Sequence, residues 1–325
     1  MNSTDIIEFE KKTYGSTPSY VFDKFWYFVA ERQNIFFNRL NNFPQPWTND
    51  EILFTYKFTN VYRATDRVSQ FLIKNVIYSS EKYSEEDLLF RILFFKIFNK
   101  IETWIDIEKQ IGDINYSSYN FYDYDSILSD LITRQKIYSA AYIMPSGVSA
   151  FGYKEKHRNN LKLLENIFSE NTLEKIMVSK NMEQVYNLLL SFPTIGPFLA
   201  FQYSIDINYS EITNFDEMSF VKAGPGALRG IKKCFPDSFK SPEEIIKLIA
   251  QNQEIEFQLR NINFKKIGNR KMQLIDCQNV FCEFDKYTRV SNPEFSIGNN
   301  RIKQKFNKNS EKIDFFFPPK WNIRL

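Results

Sequence analysis

Apolar residues recur every three or four positions along most of this chain, the spacing of helices that bury one face. Tyr20–Leu40 runs apolar and aromatic at that interval, and Asn41–Thr48, with two prolines, breaks it. Thr55–Tyr78 is the clearest amphipathic stretch. Phe58, Val61, Thr65, Val68 and Leu72 fall on one face of a helix, and Asn60, Arg63, Arg67, Gln70 and Lys74 on another. Glu85–Ile107 is so apolar around Leu89–Phe98 that it reads as a buried central helix. A polar loop over Asp113–Tyr124 precedes a helix over Ser126–Tyr138, and Tyr142–Tyr153, holding Pro145, Gly147 and Gly152, is a candidate linker. Helices follow over Leu161–Ser169, Leu173–Ser179 and Met182–Ser191. Two more lie over Pro242–Gln251, whose proline suits a first turn, and over Met272–Tyr287. Alternating strands are absent apart from short candidates in the tail Arg289–Leu325, so the expected fold class is mostly α.

One punctuation mark stands out. Phe192-Pro193-Thr194-Ile195-Gly196-Pro197-Phe198-Leu199-Ala200 places a tight turn between two apolar helices, a helix-hairpin-helix pattern, and Asp216 follows Gly196 by twenty positions. The second helix starts with unpaired backbone N–H groups at the positive end of its dipole, which suits a phosphate. This arrangement resembles the DNA-binding hairpin of the base-excision glycosylase superfamily, where an essential aspartate stands about twenty residues past the last hairpin glycine. By that resemblance Thr194, Ile195 and Gly196 would hold DNA backbone and Asp216 would do chemistry. Thr194 departs from the family's usual glycine, and Phe198 stands where its lyases carry a Schiff-base lysine, which argues against a lyase. The expected organisation is a two-lobed, glycosylase-like helical fold. It comprises a tail (1–19), an N-terminal helical lobe (20–150), a hairpin lobe (151–240), and a C-terminal helix with a basic tail (241–325).

Composition narrows the partners. The net charge of +3 over 325 residues is far from that of a non-specific nucleic-acid coat, so any DNA contact must come from a local patch. The 33 Phe and 18 Tyr accompany abundant Asn, Lys and Ile, as an AT-rich genome would encode, so aromatic number alone carries no functional weight. Three cysteines (Cys234, Cys277, Cys282) cannot form a four-cysteine cluster, and the single His157 rules out a multi-histidine metal site. No permanently bound cofactor is expected. Mg²⁺ arriving with a pyrophosphate substrate would need few protein ligands. Sparse cysteines, no signal-peptide core in Met1–Tyr20 and no membrane-length apolar run predict a soluble protein of the cytoplasm, or of the host cytoplasm if viral.

Other constellations each carry two readings. Gly224-Pro225-Gly226-Ala227-Leu228-Arg229-Gly230 enters a helix bearing Lys232 and Lys233. It would either cradle a phosphate with Arg229 donating, or supply small residues for close packing. It is not a P-loop, because no Lys-Ser/Thr pair follows at the required spacing. Asp216 and Glu217 are adjacent carboxylates pointing to different sides, so one of them should face a pocket. Asn60, Arg63 and Arg67 are either a solvated helix face or a phosphate- or base-recognition face; Arg32, Asn34 and Arg39 share that ambiguity. Arg260–Lys271 holds five basic residues and no acidic one. It either tracks a nucleic-acid backbone or is a solvated loop. Glu283, Lys286 and Tyr287 can cluster on one helical face, as an ion pair or as a proton-handling site.

Several strings together resemble one family, the α-glutamyl/putrescinyl thymine pyrophosphorylases and the helical domain of 5-hydroxymethyluracil DNA kinases. They are Glu31-Arg32-Gln33-Asn34, Phe58–Val68, Leu93–Thr103, the hairpin, Gly224–Ala227 and Cys282–Tyr287, spanning roughly residues 20–290. The resemblance implies thymine hypermodification in DNA, as in some bacteriophages. An amine would displace pyrophosphate from pyrophosphorylated 5-hydroxymethyluracil on a flipped base of a DNA duplex. Gly224, Gly226 and Arg229 would hold the pyrophosphate and Asp216 would activate the amine. A monofunctional glycosylase supported by Asp216, and a non-catalytic DNA-binding module associated with a nucleotide kinase, are the alternatives.

Overall fold

The computed structural model describes residues 3–140, 143–146, 150–295, 304–306 and 314–324. Among them the first helices are α1 (Ser3–Tyr14), α2 (Val21–Leu40), α3 (Glu51–Thr55) and α4 (Arg67–Phe71). Then come α5 (Glu85–Phe98), α6 (Ile101–Ile111), α7 (Phe121–Arg134), α8 (Lys156–Ser169) and α9 (Thr172–Met177). The last are α10 (Met182–Leu190), α11 (Pro197–Asn208), α12 (Pro225–Cys234), α13 (Pro242–Leu259) and α14 (Leu274–Ser291). Extended pairing among the described residues is limited to the isolated bridges Tyr56–Lys305 and Ile267–Arg270, so the fold is mostly α. No helix is long and apolar enough to cross a membrane among the described residues. The candidate linker Tyr142–Tyr153 lies partly outside the described residues, as do 296–303 and 307–313 of the tail.

The chain forms two compact units, each discontinuous in sequence. The first is Met1–Asp66, Val221–Asp314 and Ile323–Leu325; the second is Arg67–Phe220 and Phe315–Asn322. In the first unit α14 is central, packing against α2, α3, α12 and α13. Its Phe281 stacks on Phe25 of α2 at 4.5 Å between ring centres, and Phe284 meets the same ring edge-on. The α12–α14 crossing is closer still. A Cβ added to Gly226 would lie 2.3 Å from Cys282 Sγ, and one at Gly230 would lie 2.2 Å from the carbonyl oxygen of Phe281. Helix α13 starts with a capping box, Ser241 and Glu244 each bonding the other's backbone N–H, with Pro242 behind the cap.

In the second unit α5 is buried on every side from Leu89 to Phe98, as its unbroken apolar run requires. Its two internal cations are fully partnered. Arg91 donates to Asp113 and to the carbonyls of Val76 and Ile114. Lys96 sits 3.2 Å from Asp206 of α11 and donates to Asn99. The continuous helix expected over Glu85–Ile107 is in fact two. Asn99 adopts a left-handed conformation (φ 48°) and Lys100 is extended, which ends α5 and lets α6 leave in a new direction.

The single helix expected over Thr55–Tyr78 does not form either. An extended segment leads into a 3₁₀ turn at Arg63–Thr65, then α4 and a π-helical turn over Leu72–Ile77. The apolar stripe is still buried at Phe58, Val61, Thr65 and Leu72. The backbone groups that a helix would pair internally are instead claimed by distant side chains. Glu283 takes the N–H of Thr59 and Asp276 that of Arg63, while Arg32 donates to the carbonyls of Phe58 and Thr59. Asn60, Arg63 and Arg67 therefore share no helix face. Arg63 is buried, against the reading of it as solvated, whereas Arg67 is exposed and 3.6 Å from Glu102.

Candidate functional site

The segment Phe58–Asp66, laid open in this way, builds a polar cluster in the first unit. Helix α2 delivers Arg32, whose Nε donates to the Thr59 carbonyl at 2.9 Å and whose Nη2 donates to the Phe58 carbonyl and, at 2.6 Å, to Asn60 Oδ1. Asn60 in turn donates its side-chain amide to the Thr65 carbonyl and its backbone N–H to Asp66 Oδ1 at 2.8 Å. From α14, Asn279 holds the Thr59 hydroxyl, and Glu283 accepts from the Thr59 N–H at 3.2 Å and from Lys286 at 2.5 Å. Tyr287, expected beside this pair, reaches away to Asp50.

Charges in this cluster are tuned by burial. Partial withdrawal from water pushes the Asp66 carboxyl up to about 7, and the Asn60 N–H and the Arg32 charge only partly oppose that shift. The same withdrawal brings Arg32 down to about 10. A carboxyl that titrates near neutrality beside cationic donors can exchange a proton or accept a strong hydrogen bond under ordinary conditions.

The other expected residues have these surroundings. Thr194, a β-branched residue, sits at φ 66° in the turn between α10 and α11, Ile195 beneath it is buried, and Gly196 precedes α11 with nothing within 4 Å of an added Cβ. Helix α11 has no side-chain cap. Asp216 is exposed and accepts from the N–H of Met218, closing its own turn, while its neighbour Glu217 is buried. Gly224 precedes α12, also uncapped, and Arg229 rests on Asp285 at 3.0 Å. Asp285 also binds Lys233 and Arg289, and these partners hold its carboxyl below the usual range despite its burial. The basic run Arg260–Lys271 is largely neutralised. Arg260 bridges Glu10, Asp23 and Glu256, and Glu254 takes both Lys266 and Lys271. Among the described residues no group of three or more His, Cys, Asp or Glu is arranged to hold a metal ion.

A family model described as the helical domain of 5-hmdU DNA kinase matches residues 19–297. The chain belongs to this helical-domain family. A 5-hmdU DNA kinase of Bacillus phage SP10 is 25% identical over 323 residues, covering 92% of this chain and 50% of the phage protein. The chain thus spans about half the length of that relative. No solved structure matches it.

Within this helical domain the cluster is assembled from the strings that carried the resemblance, Glu31–Asn34, Phe58–Val68 and Cys282–Tyr287. Sequence reading nominated Asn60, Glu283 and Lys286 but missed Asp66, and it left Arg32 among ambiguous surface residues. The available signal was the invisible cost of a broken helix: Thr59-Asn60 and Thr65-Asp66 are poor helix-interior residues inside an otherwise amphipathic run.

Proposed function

We propose that this protein binds duplex DNA carrying 5-hydroxymethyluracil and serves modification of that base at its 5-substituent. The observation that carries this reading is the family match across residues 19–297, together with a relative named as a 5-hmdU DNA kinase. The α10–α11 hairpin supports it. Gly196 is required neither by its φ of −83° nor by packing, and it stands before uncapped N–H groups, where a phosphate can come close. In this reading the two helices act as a helix-hairpin-helix of glycosylase-like ancestry, with Thr194, Ile195 and Gly196 on the DNA backbone. The base leaves the stack to be modified.

The relative's name favours phosphoryl transfer onto the hydroxymethyl oxygen, the nucleoside triphosphate and its Mg²⁺ being held by a nucleotide-binding kinase partner. This chain has no Gly-Lys dipeptide and so no P-loop of its own. A second reading, amine displacement of pyrophosphate from the pyrophosphorylated base, is favoured by the α12 start. There Gly224, Gly226 and Arg229 offer backbone and guanidinium donors, and the Nη groups of Arg229 make no hydrogen bond among the described residues. In either case Asp66 has the environment a proton acceptor needs, whereas exposed Asp216 spends its carboxylate on its own turn.

The test is base-resolved mass spectrometry on duplexes containing thymine, 5-hydroxymethyluracil or its pyrophosphate ester. Each is incubated with the protein and a pool of amines, or with a nucleoside triphosphate, Mg²⁺ and a nucleotide-kinase partner. A phosphoryl gain on 5-hydroxymethyluracil that requires this chain supports the first reading, and an amine adduct on the ester supports the second. Asp66→Asn should reduce either product by about tenfold or more. Free base with abasic DNA, or no product and no duplex binding, would overturn the proposal.

A further inference from the structure

Arg32 and Asp66 carry opposite charges, lie on either side of Asn60 and are both half-buried, yet they form no ion pair. Asn60 keeps them apart. Its backbone N–H occupies Asp66 Oδ1, its Oδ1 occupies Arg32 Nη2, and its amide is locked in that sense by donating to the Thr65 carbonyl. Two valences are left over. Asp66 Oδ2 accepts no hydrogen bond among the described residues, and Arg32 Nη1 donates none. Neither atom is a buried one left unpaired, so both are open to a third group that can join them. That group must donate to the carboxylate and accept from the guanidinium, and a hydroxyl does both.

We propose that Arg32 and Asp66 read the hydroxyl of a 5-hydroxymethylated pyrimidine, Asp66 accepting its hydrogen and Arg32 donating to its oxygen. This rests on the 5-hydroxymethyluracil reading above and assigns the specificity for that base. A thymine methyl neither donates nor accepts, so its entry strands both charged groups. The charged groups around Asp66 are Arg32 from α2, Glu283 from α14 with Lys286 on it, and Arg63 from the same turn. Glu283 raises the Asp66 carboxyl and both arginines lower it, with burial prevailing at about 7. The ionised carboxylate is the stronger acceptor, so selectivity should grow as pH rises through that value.

The experiment compares binding of the full chain to two duplexes that differ only in one central 5-hydroxymethyluracil or thymine, from pH 6 to pH 8.5. Wild type should prefer the hydroxymethylated duplex by about tenfold at pH 8, and by less at pH 6. Asp66→Asn presents an amide donor where Oδ2 stood. It should bring the preference within about twofold of unity and flatten its pH dependence. Arg32→Lys, which keeps the charge without the fork, should lose part of the preference.

Folding is checked by melting. A raised carboxyl pKa makes the folded state lose stability as pH rises from 3.8 towards 7, so Asp66→Asn should melt at or above wild type at pH 8. A preference that survives Asp66→Asn, or a wild type with equal affinity for both duplexes, would refute the hydroxyl site while leaving DNA binding intact. A wild type that binds neither duplex would instead remove the DNA reading on which the site rests. The pH dependence of the wild type is decisive without any variant: a preference that falls as pH rises contradicts the proposal.

Discussion

Gly196-Pro197 opens α11 in one unit and Gly224-Pro225 opens α12 in the other, each with extended glycine before the helix, proline in its first turn and no side-chain cap. Along the chain the two starts carry the same phosphate-binding signal. Their surroundings differ. The glycines that follow in α12 are pressed onto α14, where Gly226 faces Cys282 and Gly230 faces the Phe281 backbone, while Gly196 faces nothing within 4 Å. At α12 close packing by itself accounts for Gly226 and Gly230. At the hairpin neither packing nor a positive φ demands a glycine, and Gly196 serves as the N-cap of α11, a position that glycine suits.

Substitutions to alanine sharpen this contrast. Gly230→Ala should be the most damaging, because the new methyl would meet a backbone oxygen of α14 at 2.2 Å and the helix itself would have to move. A loss of about 3 kcal/mol in denaturant unfolding is expected. Gly226→Ala meets mainly the end of a side chain, Cys282 Sγ, and should lose about 1–2 kcal/mol. Combining it with Cys282→Ala should recover most of that loss; strict additivity of the two would show that this contact does not limit the crossing. Gly196→Ala should change stability by no more than about 1 kcal/mol yet weaken duplex binding by about threefold or more, since its methyl stands where a phosphate would approach. Undiminished binding by that variant would erase the difference between the two helix starts.

The helices that could be read from the chain are those whose pattern and punctuation agree. Tyr20–Leu40, Met182–Ser191 and Pro242 at the start of α13 were legible because a periodic stripe coincided with prolines, caps or turn residues. Thr55–Tyr78 had the stripe and not the helix. Its apolar positions are buried as the pattern demands, but Arg32, Asp276 and Glu283, remote in sequence, satisfy its backbone and hold it open. Asn99 splits the other long apolar run by a left-handed residue that periodicity alone does not register. The site was legible only in pieces. Asn60, Glu283 and Lys286 were visible as polar residues in suggestive strings, whereas Asp66 became a candidate through burial, which has no local signature.

Hydrophobic spacing along the chain was enough to determine a mostly α protein and most of its helices, because periodicity is local; the family was legible separately, as a resemblance carried by several strings read in order. The tertiary structure alone decided the rest: two units built from discontinuous segments, the exclusion of α-helix between Phe58 and Thr65, and the close packing that requires Gly226 and Gly230. It also brought Arg32, Asn60, Asp66 and Glu283 into one cluster from α2, an extended segment and α14. The physical reason is the same throughout. Desolvation, close approach and the capture of backbone hydrogen bonds by distant side chains depend on what lies beside a residue in space.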